Sequence, residues 1–319
     1  MGKADQYVFG LDIGTRSIVG TVGYKKNATG FTVVAQEVKM HETRAMMDGQ
    51  IHDIGKVTET VKQVKRSLEK QLGGTKLTDV CIAAAGRVLK TVTVRVDQEF
   101  PEEINVKDVN IREMELLGVE KAYAAIKADA REEKINYYCV AYTVVHYYLN
   151  DFQMSSLLDH KASKIGADVL ATFLPDEVIE GLYTTVEKAG LKVNNLTLEP
   201  IAAILVAIPE KFRLLNIALV DVGAGTSDIC ITKDGSITAY GMIPMAGDAL
   251  TEVVAAAHLV EFNTAESIKL AACSKKKSIP YVDIMGIKQK TTPAEVNGEL
   301  KGKIEEMTNL IADRIIEIN

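Results

Sequence analysis

One short pattern occurs twice in this chain and restricts its fold more than any other feature. The first copy reads Phe9-Gly10-Leu11-Asp12-Ile13-Gly14-Thr15-Arg16-Ser17-Ile18-Val19, the second Ala218-Leu219-Val220-Asp221-Val222-Gly223-Ala224-Gly225-Thr226-Ser227-Asp228. Each is an apolar strand, a turn that opens with Asp-x-Gly and carries a hydroxyl, and a second apolar strand. A single copy reads as a hairpin with an Asp-Gly bend. Two copies, each followed by a further strand, point to two similar lobes that face each other across a cleft and hold a polyphosphate between them. Gly14, Gly223 and Gly225 would let the backbone approach phosphate oxygens and supply positive φ values that aim N–H groups inward. Thr15 and Thr226 would add hydroxyl donors. Asp12 and Asp221 suit the outer shell of a hydrated Mg2+, which keeps several waters and takes one or two carboxylates.

Composition narrows the class. At 319 residues the chain has room for two domains at ~150 residues each. Its 47% hydrophobic and 25% charged residues are those of an ordinary globular protein. A net charge of -6 argues against nucleic-acid binding through bulk charge. The compact basic run Lys275-Lys276-Lys277 reads as a solvated loop, or else as a contact for an anionic membrane or a partner. Cys81, Cys139, Cys230 and Cys273 are scattered and form no metal or redox signature, and the first three lie in apolar, strand-like runs, which suits core thiols in a reducing cytoplasm. His41, His52, His146, His160 and His258 share no spacing, and none reads as a ligand or base. No apolar stretch approaches the ~20 residues of a membrane span, and the N-terminus lacks the apolar core of a signal peptide.

Residues 7–13, 18–24 and 31–38 read as a three-stranded meander. A helix follows, with Val57, Val61, Val64 and Leu68 on one face and Gly73-Gly74 as its stop, then a strand over 78–85. Residues 86–167 change character: an alternating strand at 88–96, two charged helices at 107–115 and 120–131, a tyrosine-rich strand at 137–149, and a polar loop at 152–166. A strand at 168–174, a helix capped by Asp176 and a strand at 191–198 resume the first lobe. Strands at 217–222, 227–232 and 236–242 then repeat the opening, with Asp234-Gly235 as a tight turn. The expected organisation is a first lobe of 1–85 plus 168–213, an insertion at 86–167, and a second lobe at 214–319.

Glu199 precedes Pro200 at a helix start. It reads either as a helix-capping acid or as the group that activates water, and sequence physics alone favours the cap. Glu266 and Lys269, three apart on a helix, read as a surface ion pair or as a ribose or adenine contact.

These residues resemble the actin-like ATPase superfamily, which includes actin, bacterial shape and segregation filaments, heat-shock chaperone ATPases and sugar kinases. Gly10 to Thr15 is similar to its phosphate-1 motif, Asp221 to Thr226 to phosphate 2, and Glu199-Pro200-Ile201-Ala202-Ala203 to the connecting motif. Within the superfamily the chain most resembles FtsA, the bacterial cell-division actin homologues. Gly49-Gln50-Ile51-His52-Asp53, the place of the insertion, and Ile243 to Thr251 with Ala265 to Lys269 carry that likeness. Arg16 stands where many FtsA chains have Ser or Lys, and Ala224 replaces the middle glycine of the commonest phosphate-2 form.

The resemblance implies an α/β, two-lobed actin-like fold of duplicated ribonuclease-H-like lobes, with a small α+β insertion in the first lobe and a truncated second lobe. It implies ATP or ADP with Mg2+ as cofactors. Asp12, Asp221, Glu199 and Thr226 would carry the chemistry. Gly14, Thr15, Arg16, Gly223, Ala224, Gly225, Thr226, Gly247, Glu266 and Lys269 would hold the nucleotide. It also implies a division scaffold with weak ATPase activity at most, which self-associates into filaments and binds the FtsZ C-terminal tail and other division proteins. That scaffold would lie on the cytoplasmic face of the inner membrane, reached through a C-terminal region beyond this chain. An adenosine motif is expected after Asn319, so the chain reads as the N-terminal part of a longer protein. Two alternatives on the same fold are a PilM-like pilus-assembly or other paralogous scaffold, and a small-molecule kinase. The kinase would need a second carboxylate base, and the interlobe segments show no second acidic motif.

Overall fold

The structure, a computed structural model, describes residues 7–26, 30–42, 45–47, 49–84, 89–129 and 135–319. Lobe I opens with the antiparallel meander β1 (Val8–Ile13), β2 (Ser17–Lys25) and β3 (Phe31–Met40). A short hairpin, β4 (Met46–Met47) and β5 (Gln50–Ile51), leads to helix α1 (Ile54–Gln71). Asp53 caps α1 by accepting the Lys56 N–H at 3.0 Å, and Gly73 and Gly74 end it in left-handed conformations at φ +68° and +91°. Strand β6 (Asp79–Ala84) then pairs in parallel with β1, Gly10 opposite Cys81. With β11 (Lys192–Leu198) on its far edge, the sheet has the order β11-β6-β1-β2-β3.

The apolar face of α1 lies on this sheet at very short range. A Cβ on Gly20 would meet the side chains of Val64 at 2.5 Å and Leu68 at 2.7 Å. Helix α3 (Asp176–Lys188) covers the same face, burying Ile179, Leu182 and Val186 with them. Asp176 is the first residue of that helix and not its cap. Pro175 holds the cap position, and the Asp176 N–H bonds to Asn136 O at 3.0 Å.

The insertion is larger than its sequence suggests. It comprises β7 (Lys90–Asn105), one helix α2 (Asp108–Asp129), β8 (Tyr137–Leu149), β9 (Phe152–Met154) and β10 (Lys161–Pro175), in the sheet order β7-β10-β8-β9. Two expectations are corrected. First, the helix does not break between 115 and 120. Gly118 sits mid-helix because a Cβ there would strike Val169 at 2.5 Å, so it serves the approach of α2 to β10. Second, the polar stretch at 152–166 is a loop only over 155–160, and the strand at 168–174 is not part of lobe I's sheet. The remainder belongs to β9 and to the single strand β10, paired from Lys161 opposite Asn105 to Phe173 opposite Lys90. Ala162 and Ile165 are buried while Lys161 and Ser163 face out, and that polar outer face hid the strand's first half. The chain therefore returns to lobe I at α3. The expected insertion boundary near Gly86 falls outside the described residues.

Helix α4 (Glu199–Ala207) crosses to lobe II. There β12 (Ile217–Val222), β13 (Ser227–Lys233) and β14 (Ser236–Ile243) repeat the meander, turning through Asp234 and Gly235 at φ +53° and +84°. Helices α5 (Gly247–His258) and α6 (Phe262–Ala272) follow. A hairpin of β15 (Ile279–Val282) and β16 (Lys288–Thr291), unforeseen in the sequence, precedes α7 (Pro293–Ile318). The last turns of α7 place Ile311, Ile315 and Ile318 on Ile229, Ile231 and Ala239 of the sheet. A further cluster of Leu170, Ile204, Cys230 and Tyr240 joins β10 and α4 to lobe II. Burial in that seam pushes the Cys230 thiol up to about 12, so it is an inert core thiol. Among the described residues no helix is long and apolar enough to cross a membrane.

Gly20→Ala tests the helix-on-sheet contact. The added methyl must displace Val64 and Leu68, and overpacking of this kind costs about 1–3 kcal/mol, to be read as a lower urea midpoint with an unchanged slope.

Candidate functional site

The two repeated turns are built alike. In the first, the Gly14 N–H donates to Ser17 O at 3.0 Å; in the second, the Gly223 N–H donates to Thr226 O at 2.9 Å. Strand register makes the equivalence exact to the residue. Asp12 lies opposite Val19 and Ile13 opposite Ile18, just as Asp221 lies opposite Asp228 and Val222 opposite Ser227. Asp12 thus matches Asp221, Ser17 matches Thr226, and Arg16 takes the place of Gly225.

Two expectations change here. None of Gly14, Gly223 and Gly225 has a positive φ. Gly14 and Gly223 are needed for a different reason: a Cβ would press on Ser17 O at 3.1 Å or on Thr226 O at 3.2 Å. Moreover, Thr15 is not the counterpart of Thr226. Its hydroxyl accepts the Gly49 N–H at 3.1 Å and ties the β4–β5 hairpin to the turn. Ser17 is the counterpart. Aligning the two copies on their aspartates, rather than on their threonines, reveals it.

The turns bring carboxylates together. Burial raises the Asp12 carboxyl above its ordinary range, and the charge of Asp221 adds to the shift. Asp12 is open to the cleft, yet the cleft walls exclude enough water to desolvate it. Glu199 is the first residue of α4, where Leu198 is the N-cap and no side-chain cap bond forms. Its carboxyl is raised well above the ordinary value, first by burial and then by the charges of Asp12, Asp228 and Asp221. It is therefore a member of the cleft cluster rather than a cap. Thr226 is buried, and its hydroxyl donates to Asp228 Oδ2 at 3.2 Å. Asp228, absent from the sequence reading, is the fourth carboxylate. Position 228 matches Val19 in the first copy, so the duplication gave no hint of it.

Arg16 reaches across the cleft. Its guanidinium pairs with Asp248 and Glu266 of lobe II and stands 5.6 Å from the Phe262 ring centroid. Burial works against its charge, but the two carboxylates outweigh burial and hold its pKa above the ordinary arginine value. Burial likewise pushes the Glu266 carboxyl up, while Lys269, Thr251 and Arg16 outweigh it and hold it low. Lys269 Nζ meets Gly247 O and Thr251 Oγ1, each at 2.9 Å, and Glu266 Oε2 at 2.7 Å. The pair Glu266–Lys269 is thus neither a surface pair nor free. Gly247 donates its N–H to Gly223 O at 3.1 Å, and Asp248 donates its own to Ala224 O at 2.8 Å, so the start of α5 rests on the second turn. On the lobe I side, His41 Nε2 lies 3.1 Å from Gly14 O, and burial lowers the pKa of that ring. Asp12, Asp221, Glu199, Thr226 and both turns therefore converge, whereas Arg16, Gly247, Glu266 and Lys269 form a brace between the lobes beside them.

Two lobes of one design, with matching acidic turns facing a cleft, define an actin-like fold. Solved structures agree. The chain superposes on a chain of the PilM-PilN type IV pilus biogenesis complex with a TM-score of 0.64 at 14% identity, covering 95% of this chain and 75% of that one. For the ethanolamine utilization protein EutJ of Carboxydothermus hydrogenoformans the TM-score is 0.54 at 19% identity, over 98% and 72%. For MreB5 of Spiroplasma citri bound to ADP it is 0.51 at 15% identity, over 97% and 78%.

Within that class the chain resembles the FtsA cell division proteins. The family model described as cell division protein FtsA matches residues 218–313. FtsA of Pseudomonas aeruginosa is 26% identical over 280 residues, which are 86% of this chain and 63% of that protein. FtsA of Escherichia coli K12 is 24% identical over 327 residues, 98% of this chain and 73% of the relative.

Two predictions test the cleft. Because the Glu199 pKa is raised on folding, the folded state binds the extra proton, and stability falls as pH rises from the ordinary glutamate value through the raised one. Glu199→Gln removes that loss. The variant is expected to melt higher than the parent at pH 7 to 8 and to converge with it near pH 4, by calorimetry across pH. Arg16→Ala leaves Asp248 and Glu266 without their cross-cleft partner, so the lobes open. X-ray scattering is expected to give a larger radius of gyration, and high salt to shift the parent in the same direction.

Proposed function

We propose that this chain is a nucleotide-binding, actin-like scaffold of bacterial cell division. The observation that carries the reading is the convergence of Asp12, Asp221 and Glu199 between two equivalent turns, in a chain that resembles FtsA. The chemistry of the donor set fits a hydrated Mg2+ on a polyphosphate. Among the described residues no group of three His, Cys, Asp or Glu side chains is placed to hold a metal ion by itself. A pair of cleft carboxylates, with waters and phosphate oxygens for the remainder, is how Mg2+ is usually held. Ser17 and Thr226 supply hydroxyls, one from each turn, and the turn backbones supply N–H groups.

Glu199 holds a proton easily in a cleft crowded with negative charge. A divalent cation near Asp12 and Asp221 would offset that crowding and return the carboxyl towards its ordinary value, where it can accept a proton from water. Catalysis on this design is positioning plus charge stabilisation, and slow ATP hydrolysis is what the site offers. The nucleotide would act chiefly as a ligand that joins the lobes. Self-association into filaments, docking of the FtsZ C-terminal tail on lobe II, and attachment to the inner membrane complete the reading. They place the protein at the cytoplasmic face of the division site.

Calorimetric titration with ATP, with and without Mg2+, tests the cleft. Saturable Mg-dependent binding that Asp12→Ala and Asp221→Ala each weaken at least about tenfold is expected; binding that neither variant alters overturns the nucleotide assignment. Fluorescence anisotropy with a peptide of the FtsZ C-terminal tail tests the division partner separately. Micromolar saturable binding supports it, and none by a folded chain sinks it.

A further inference from the structure

The β15–β16 hairpin of lobe II plays no part in the cleft, and its surface is unlike the rest of the chain. Between residues 275 and 290 the sequence holds five lysines, at 275, 276, 277, 288 and 290, and one acid, Asp283, in a chain whose net charge is -6. All five lysines are exposed. Pairing of Val282 with Lys288 and of Pro280 with Lys290 puts these four on one outward face. The opposite face carries Tyr281, whose hydroxyl lies 2.9 Å from His258 Nδ1, while Glu299 holds His258 from the other side at 3.0 Å. Two acids of α7 neighbour the hairpin; Glu299 is taken up by His258 and Glu295 by Thr291 and Thr292, while the lysines carry the outward face.

The tip is apolar and rigid. Ile284, Met285 and Ile287 are 63%, 76% and 55% exposed, next to Val282. They do not sit on a loose loop. Asp283 Oδ1 accepts the N–H groups of Met285 and Ile287, each at 2.9 Å, so the one acid faces inward to the loop backbone. Gly286 turns at φ +77° and donates to Asp283 O at 2.9 Å, and the Ile284 N–H is fixed to Leu259 O at 2.8 Å. A Cβ on Gly286 would meet open space, as at the end of a projecting turn. Fixed aliphatic side chains at a projecting tip, with lysines along the stem, suit a surface that is apolar at depth and negative above. A peptide would call for a groove, and this tip projects.

We propose that the β15–β16 hairpin is a docking surface for an anionic lipid bilayer, its aliphatic tip entering the interface and its lysines meeting the headgroups. The surface is independent of the nucleotide cleft. Co-sedimentation of the 319-residue chain with vesicles of phosphatidylglycerol and phosphatidylcholine, against pure phosphatidylcholine, tests it. Binding to the anionic vesicles alone, falling as salt rises, is the expected result.

Ile284→Glu with Met285→Glu, and separately Lys275→Gln, Lys276→Gln and Lys277→Gln together, should each weaken binding at least about tenfold. All these side chains are exposed, and unchanged melting curves confirm that the variants fold. No binding to anionic vesicles, or binding that both variants retain, overturns the proposal. So does a chain that ignores vesicles but loses an acidic apolar peptide, such as the FtsZ tail, on the tip substitutions; that result assigns the surface to a protein.

Discussion

Like charges set the terms of this molecule. Asp12, Asp221, Asp228 and Glu199 come together from two lobes and a linking helix, in a cleft whose walls withhold water. The charges of Asp12, Asp228 and Asp221 all act against ionisation of Glu199, and reduced dielectric strengthens that repulsion relative to bulk solvent. Two features hold the lobes against it. One is the apolar seam of Leu170, Ile204, Cys230 and Tyr240, and the other is the reach of Arg16 to Asp248 and Glu266. A cation-bearing anionic ligand would relieve the repulsion directly. The cleft is thus strained in charge in a way that its proposed ligand corrects.

Lobe duplication explains how much of this was readable from residues alone. The meander repeats because two apolar-alternating strands around Asp-x-Gly recur, and that signal needs only local sequence. The convergence of Asp12 with Asp221 followed from the repeat. The parts that stayed hidden depend on tertiary neighbours. Gly118 resembles a helix breaker until Val169 is seen beneath it, and residues 161–166 resemble a loop because only one face of β10 is covered. Asp228 and Asp248 carry no spacing signal of their own, since their roles come from strand register and from the opposite lobe, whereas Ser17 is legible once the copies are aligned on Asp12 and Asp221. The β15–β16 strands are short, and Pro280 within the first argues against a strand except at an edge, where it lies.

Equivalence of the turns also shows where the lobes diverged. Position 16 is arginine in one and position 225 is glycine in the other. Arginine projects into the cleft and couples the lobes, while the second turn carries the start of α5 on the carbonyls of Gly223 and Ala224. Each turn braces something different: the first holds His41 and the β4–β5 hairpin, the second holds α5 and, through Gly247, Lys269. Similar loops have thereby acquired unlike surroundings, and the two halves of the cleft are not interchangeable.

Strand β10 runs for 15 residues from the outer part of the insertion past the lobe seam at Leu170, its register shifting against its neighbours at three places. At about 3.3 Å per residue it spans roughly 50 Å. One of its residues, Leu170, sits in the cluster with Cys230 and Tyr240, and Val169 bears directly on α2 at Gly118. A flexible tether would absorb a push at the far end; a strand hydrogen-bonded on both edges along most of its length conveys it. The insertion is thus joined by one continuous strand to the place where the two lobes meet, so a pull on the insertion would be felt at that seam.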